Sequence, residues 1–203
     1  MKAPTWIIGV DEAGRGPLAG PVAVGVVRVA EGFDVAREFL GVKDSKQLSE
    51  PAREKLFALL EARAKQGDLA YRVCLGGHAQ IDQLGITSAS RHALARGIRA
   101  LTSTMQKSDF YIQLDGGLYA PKEFSQETII RGDDLVPLIS LASIAAKVTR
   151  DRLMTRMAAQ YPAYGFERHK GYPTRAHYEA LRRWGPCAIH RRSYLHLPEA
   201  VVG

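Results

Sequence analysis

Three apolar, strand-like runs in this chain each lead into acids beside glycine, and that repeated device constrains the fold more than any other feature. Trp6 to Val10 runs into Asp11, Glu12, Ala13 and Gly14; Phe110 to Leu114 ends at Asp115 before Gly116 and Gly117; a short run near Thr128 to Ile130 precedes Gly132, Asp133 and Asp134. Adjacent strands of one sheet bring such ends together, and the clustered carboxylates repel one another unless cations neutralise them. A donor set made only of oxygens suits Mg2+ or Mn2+. Two such ions can activate a water and stabilise the leaving 3′ oxygen of a phosphodiester, a chemistry that needs no nucleophilic side chain. Neighbouring residues of a regular strand point to opposite faces, so Asp11 and Glu12 share one site only if the chain bends there, as Ala13 and Gly14 permit. Each acid taken singly has an ordinary use as a turn former, an Asx turn or a helix N-terminal charge.

The remaining pattern interleaves strands and helices. Val22 to Val29 is a valine-rich strand, joined to the first by the Gly- and Pro-bearing stretch AGRGPLAGP, and Ala70 to Leu75 reads as a third. Ser49 caps a helix with Pro51 in its first turn, with Leu56, Leu59 and Leu60 on one face up to about Ala64. Ile81 and Leu84 belong to a helical turn, and Thr87 or Ser88 starts a helix carrying Leu94, Ile98 and Leu101 on one side. The longest helix is expected from Leu135 to about Gln160, with Pro137 in its first turn and small residues allowing close packing. A further helix spans about Thr174 to Trp184, followed by a loop-like tail. Early strands and later helices predict an α/β fold, a mixed β-sheet flanked by helices with a C-terminal helical extension.

At 203 residues the chain suits one domain with a substantial core. No run approaches the ~20 apolar residues that span a bilayer, and the acidic pair arrives before a signal-type segment could form, so a cytoplasmic protein is expected. Cys74 and Cys187 are read as free thiols, since neither a disulfide framework nor a zinc spacing is present. The net charge of +7 favours a polyanionic partner. Residues 161–203 carry seven Lys or Arg against three Glu, a net +4, so more than half of the excess lies in that segment.

The run GVDEAGRGPLAGPV, Gly9 to Val22, resembles the signature opening of bacterial ribonuclease HII, a type 2 ribonuclease H. Further matches follow in family order: DSKQLSE at 44–50, LDGG at 114–117, RGDDLVPLISLASIAAKVTRDRLM at 131–154, YPAYGFERHKGYPT at 161–174 and GPCAIHRRSY at 185–194. The resemblance implies a ribonuclease H-like fold of one domain, with a catalytic core over 1–160 and a basic substrate-binding helical region over 161–203. It implies an endoribonuclease that cuts RNA in RNA–DNA hybrids and cuts 5′ of ribonucleotides in duplex DNA, leaving 3′-hydroxyl and 5′-phosphate ends. Its partner is that hybrid or duplex, with no membrane, and a monomer is expected.

By the same resemblance the metal-binding and catalytic acids are Asp11, Glu12, Asp115 and Asp133. Asp11 is implied to bridge both ions, Glu12 and Asp115 to complete the leaving-group ion, and Asp133 to help hold the other. Asp134 and Asp151 contend for the last place, although Asp151 stands one helical turn from Lys147, an ordinary ion-pair spacing. Gly14, Arg15 and Gly16 match the family's reader of the ribose 2′-hydroxyl, where backbone without Cβ atoms approaches a sugar closely. Tyr172 matches the tyrosine that packs on the following sugar, and Ser45 and Lys46 match a phosphate-contacting loop, in which Lys43 replaces an asparagine common in relatives.

Arg191 and Arg192 either grip the nucleic-acid backbone or pair with surface acids, and the histidines show no metal-ligand spacing. His92 and His177 read as surface or packing residues. Ribonuclease HIII is set aside because Met1 lies a few residues before the first strand, leaving no room for its extra N-terminal domain. A silent hybrid-binding protein would favour lysine over clustered carboxylates, and an integrase-like or exonuclease relative would lack the Gly14 to Gly16 reader.

Overall fold

The structure, a computed structural model, describes residues 5–42 and 48–195. Five strands form one mixed sheet: β1 (Trp6–Ala13), β2 (Val22–Ala30), β3 (Leu69–Gly76), β4 (Phe110–Asp115) and β5 (Gln126–Ile129), in the order β3-β2-β1-β4-β5. Strand β2 pairs antiparallel with β1 and β3, whereas β1 with β4, and β4 with β5, are parallel. The α/β expectation of a mixed sheet flanked by helices holds.

Eight helices surround it: α1 (Val35–Glu38), α2 (Glu50–Gln66), α3 (His78–Leu84), α4 (Ile86–Thr102), α5 (Gly132–Leu135), α6 (Pro137–Gln160), α7 (Phe166–His169) and α8 (Arg175–Trp184), among the described residues. Strand alternation splits the core in two. Ile8, Val10, Val24 and Val26 pack with Leu94 and Ile98 of α4, and Val27 and Val29 pack with Phe57 and Leu60 of α2 and Leu141 and Ala145 of α6. Helix α6 lies so close to the sheet that a Cβ on Gly25 would sit 2.1 Å from the Ala142 carbonyl oxygen. That close approach sets the middle of α6 over the end of β1.

Several boundaries differ from the sequence reading for identifiable reasons. Helix α2 buries Phe57 and Leu60 and leaves Leu59 exposed, because the larger Phe57 ring wins the inward face; its truncation to Ala costs about 3–5 kcal/mol. Ser49 caps it as expected, its hydroxyl accepting from the Ala52 N–H. Helix α4 starts at Ile86, one residue before the expected Thr87, because Gly85 both ends α3 and caps α4 at φ 77°. The long helix begins only at Pro137: Val136 is extended at φ −113°, ψ 111°, as a residue before proline prefers. The preceding turn, α5, is thereby separated and carries Asp133 and Asp134.

The tail is tied down more than a loop would be. His190 bridges to Ala19 in the β1–β2 connection, and Leu18, Ala19, Met154, Tyr164, Phe166 and Leu181 form a core of their own. Residues 161–195 are thus built onto the connection that follows Asp11 and Glu12. Two of the seven basic residues counted there, Lys170 and Arg191, are buried, so the solvent-facing charge is smaller than the sequence suggests. Cys74 and Cys187 are free and half-buried. No helix among the described residues is long and apolar enough to cross a membrane.

Candidate active site

Register explains how the acids meet. The last β1–β4 partners are Val10 and Leu114, so Asp11 and Asp115 are the next residues on adjacent parallel strands, which lie about 4.8 Å apart. Strand β5 leads through Arg131, in the left-handed region at φ 59°, into α5. That turn brings the Asp133 N–H onto Asp115 Oδ1, at 3.2 Å. Gly132 permits the approach: a Cβ there would lie 2.7 Å from Ile139 Cδ1 and 3.5 Å from the Asp115 Cα. The Asp133 carbonyl accepts a hydrogen bond from Ser140 at the start of α6.

The bend expected at Asp11 and Glu12 lies one step later. Strand β1 runs on through Ala13, paired with Ala23 of β2, and the chain turns at Gly14, φ 89°. Both side chains nevertheless line one cavity, because β1 outruns β4 there and its end is open. The cavity, of about 400 Å³, is lined by Asp11, Glu12, Asp115 and Asp133 together with Gly14, Arg15, Arg53, Ser143, Lys147 and Tyr172. Asp134 instead pairs with Arg131 at 3.0 Å, and Asp151 pairs with Lys147 at 2.9 Å; neither lines that cavity. Ser45, Lys46 and Lys43 lie outside the described residues.

Burial pushes the Asp11 carboxyl up to about 8; a hydrogen bond with Ser143 opposes the rise, and the charges of Asp115 and Asp133 add to it. Glu12 Oε1 accepts from Arg15 Nη1 at 2.7 Å, while its Oε2 is buried with no hydrogen-bond partner among the described residues. A buried carboxylate held against its charge and an orphaned carboxylate oxygen fit a divalent cation bound through oxygen. Among the described residues no three His, Cys, Asp or Glu side chains are already gathered tightly enough to grip one ion.

The β1–β2 connection is held from behind by two buried guanidinium groups, and Arg191 is the one that grips the Gly14 to Gly16 loop. Arg191 donates through Nη2 to Gly14 O (2.6 Å), through Nη1 to Arg15 O (2.8 Å) and through Nε to Gly20 O (2.9 Å). Arg150, from α6, donates to Ala19 O, Pro21 O and Lys170 O at 2.9–3.1 Å. A planar trans peptide points its N–H opposite to its C=O. Drawing the Gly14 and Arg15 carbonyls inward therefore turns the Arg15 and Gly16 N–H groups outward. Gly14 also has no room for a side chain, since its Cβ would lie 2.1 Å from Arg150 Nε.

The sequence reading placed Arg191 on nucleic acid or on surface acids; it does neither, being fully buried on backbone carbonyls. Burial lowers its pKa to about 10, so it remains charged at neutral pH. Arg53 and Arg150 carry no mark in the sequence, Ser143 enters there only among the small residues that let the long helix pack closely, and Lys147 only as the neighbour of Asp151. The one available signal was the four-residue spacing of Ser143, Lys147 and Asp151, one turn apart on a single face of α6. Tyr172, 36% exposed, reaches the cavity with Lys147 Nζ 5.3 Å and Arg150 Cζ 5.7 Å from its ring centre.

Residues 8–197 match the family model of ribonuclease HII. Ribonuclease HII of Nitrosococcus oceani is 46% identical over 188 residues, covering 93% of this chain and 88% of that protein. That of Burkholderia mallei is 45% identical over 203 residues, covering 98% and 88%. Among solved structures, ribonuclease H2 from Pyrococcus horikoshii superposes with a TM-score of 0.70 at 30% identity, covering 93% of each chain. The fold is shared with the ribonuclease HII of a PCNA complex from Archaeoglobus fulgidus, with TM-score 0.74, 24% identity and coverage of 95% and 96%. It is shared too with the Bst ribonuclease HIII crystallised with Mn2+, with TM-score 0.64, 18% identity and coverage of 90% and 64%. With four carboxylates on one cavity and the family model matched over nearly the whole chain, the chain belongs to the ribonuclease HII family and is a metal-dependent endoribonuclease.

Proposed function

We propose that this enzyme hydrolyses the RNA strand of RNA–DNA hybrids and cuts 5′ of single ribonucleotides in duplex DNA, as in ribonucleotide excision repair, leaving 3′-hydroxyl and 5′-phosphate ends. The observation that carries the reading is that Asp11, Glu12, Asp115 and Asp133 line the same cavity as Gly14 and Arg15 of the glycine loop. Asp11, Glu12, Asp115 and Asp133 would hold the Mg2+ or Mn2+ ions. When bound, the ions supply a lowered pKa for the attacking water and charge stabilisation at the leaving oxygen.

The chain's own residues do the selecting. The outward Arg15 and Gly16 amides are donors at the height of a sugar, and the 2′-hydroxyl is what separates RNA from DNA there. Lys147, Arg15 and Arg53 offer cations to the phosphates on either side of the cut. Tyr172 offers a ring face to the next sugar, and packs closest where the 2′-hydroxyl is missing. Ser45 and Lys46 contact a neighbouring phosphate. In this reading residues 1–160 form the catalytic core and 161–203 the basic substrate-binding region of one domain, and the enzyme acts in the cytoplasm as a monomer.

The test is an end-labelled duplex with one embedded ribonucleotide, incubated with Mg2+ or Mn2+. Cutting immediately 5′ of the ribonucleotide is expected, with an all-DNA duplex left intact. Equal cutting of both duplexes refutes the proposal.

A further inference from the structure

Beneath Tyr172 lies a group of three imidazoles that the site does not use. His169 and His177 stack at 4.5 Å between ring centres, and His177 and His190 lie 5.2 Å apart. His177 and His190 are fully buried, edge-on or tilted against the Phe166 ring. Burial, first, holds both well below the usual histidine range, at about 4, so both rings are neutral at physiological pH. A neutral imidazole has one N–H and one bare nitrogen, and its partners decide which is which.

Here the partners leave one solution. The Tyr172 carbonyl only accepts, so His177 Nδ1, 3.0 Å away, carries the proton. His177 Nε2 is then bare and accepts from His190 Nε2–H at 3.0 Å. His190 Nδ1 is therefore bare as well, and the Cys187 N–H donates to it at 2.9 Å. The opposite direction would set two acceptors face to face at Tyr172. His169 closes the same turn: its Nδ1 accepts from the Gly171 N–H at 3.2 Å, and its Nε2–H donates to Tyr164 O at 2.8 Å.

The peptides around Tyr172 are consequently gripped on every side. Lys170 O accepts from Arg150, Gly171 O accepts from the Leu18 N–H, and the Tyr172 N–H donates to His169 O. Lys170 holds left-handed backbone at φ 51°, a conformation that a residue with a Cβ keeps only where surrounding contacts impose it, and Gly171 follows at 86°, which glycine adopts freely.

We infer that His177 and His190 are positioning residues for Tyr172, their one-directional hydrogen-bond chain from the Cys187 amide fixing the peptide that presents the Tyr172 ring to the substrate. This rests on the reading of Tyr172 as a sugar contact. His177→Gln reaches His190 but not the Tyr172 carbonyl, whereas the shorter amide of His177→Asn can donate where Nδ1–H does.

Nitrogen-15 NMR of the imidazoles at neutral pH should find His177 protonated on Nδ1 and His190 on Nε2; the reverse tautomers, or a charged ring, overturn the proposal. In steady-state cleavage of the single-ribonucleotide duplex, His177→Gln and Tyr172→Ala should each raise KM about tenfold with kcat little changed. The double variant should be no worse than either single one, and His177→Asn should stay near wild type. An unchanged KM in Tyr172→Ala overturns the sugar-contact reading and the proposal with it. A raised KM in Tyr172→Ala, with His177→Gln indistinguishable from wild type, overturns the positioning role alone.

Discussion

Two buried charged regions face each other across the Gly14 to Gly16 loop, and they are satisfied in opposite ways. On the acid side, Asp11 is held protonated by burial and its acidic neighbours, and Glu12 Oε2 is buried without a hydrogen-bond partner among the described residues. On the basic side, Arg150 and Arg191 direct their donors to backbone carbonyls, and His177 and His190 are neutral and paired end to end. A buried carboxylate oxygen without a partner suits a cation, and buried donors that all find carbonyls mark a scaffold. The scaffold aims the loop, and the acid side has the donor chemistry that would suit a divalent cation.

The sharpest way to break this contrast is Asp11→Asn. Cleavage should be abolished, yet the cation-free protein should become more stable at pH 8. The folded pKa of Asp11, about 8, lies above its ordinary 3.8, so its contribution is fully present at low pH and lost as pH rises through about 8. Thermal unfolding in EDTA checks this, and a lower midpoint for the variant at pH 8 contradicts it. On the scaffold side the sign reverses: Arg191→Met strands the Gly14, Arg15 and Gly20 carbonyls, at a cost of roughly 3 kcal/mol, lowering the midpoint by about 10 °C. A midpoint within about 2 °C of wild type would show that the guanidinium is not holding the loop.

Acid should loosen the scaffold next. His177 and His190 have folded pKa values of about 4, below the ordinary 6.5, so their contribution is present above about pH 6.5 and is lost as pH falls toward 4. We expect a loss of about 3 kcal/mol per ring across that window, measured by urea unfolding, and flattened in His177→Phe. Added Mn2+ should stabilise the wild type by about 3 kcal/mol at a hundredfold excess over Kd, with no such shift in Asp11→Asn. The smallest effects belong to Asp134→Asn and Asp151→Asn, whose ion pairs with Arg131 and Lys147 are worth about 0.5 kcal/mol each. Cleavage within a few-fold of wild type is expected; a loss matching that of Asp133→Asn would move the fourth acid.

Legibility followed the range of the interactions. Strand runs, the Ser49 cap and the Pro137 start were readable because alternation, capping and proline geometry act over a few residues. The face of α2 was misjudged because Leu59 and Phe57 are both apolar, and only the room beneath the helix selects Phe57. Arg191 looked like surface charge, since an arginine beside another in a basic stretch carries no mark of burial. The imidazole chain was invisible for a similar reason, as His177 and His190 are joined only when α8 folds back over Phe166.

By itself the amino-acid sequence determined that acids would stand at strand ends beside glycine, that the chain would form a mixed sheet with helices, and which family it joins. Only the tertiary structure decided that Asp133 faces the cavity while Asp134 and Asp151 turn to Arg131 and Lys147. It also decided that Arg150 and Arg191 reach back 129 and 177 residues to hold the β1–β2 connection, at Pro21 and Gly14. Periodicity is written in neighbouring residues, whereas the partner of a buried charge is set by where distant segments come to rest, and no local pattern records that.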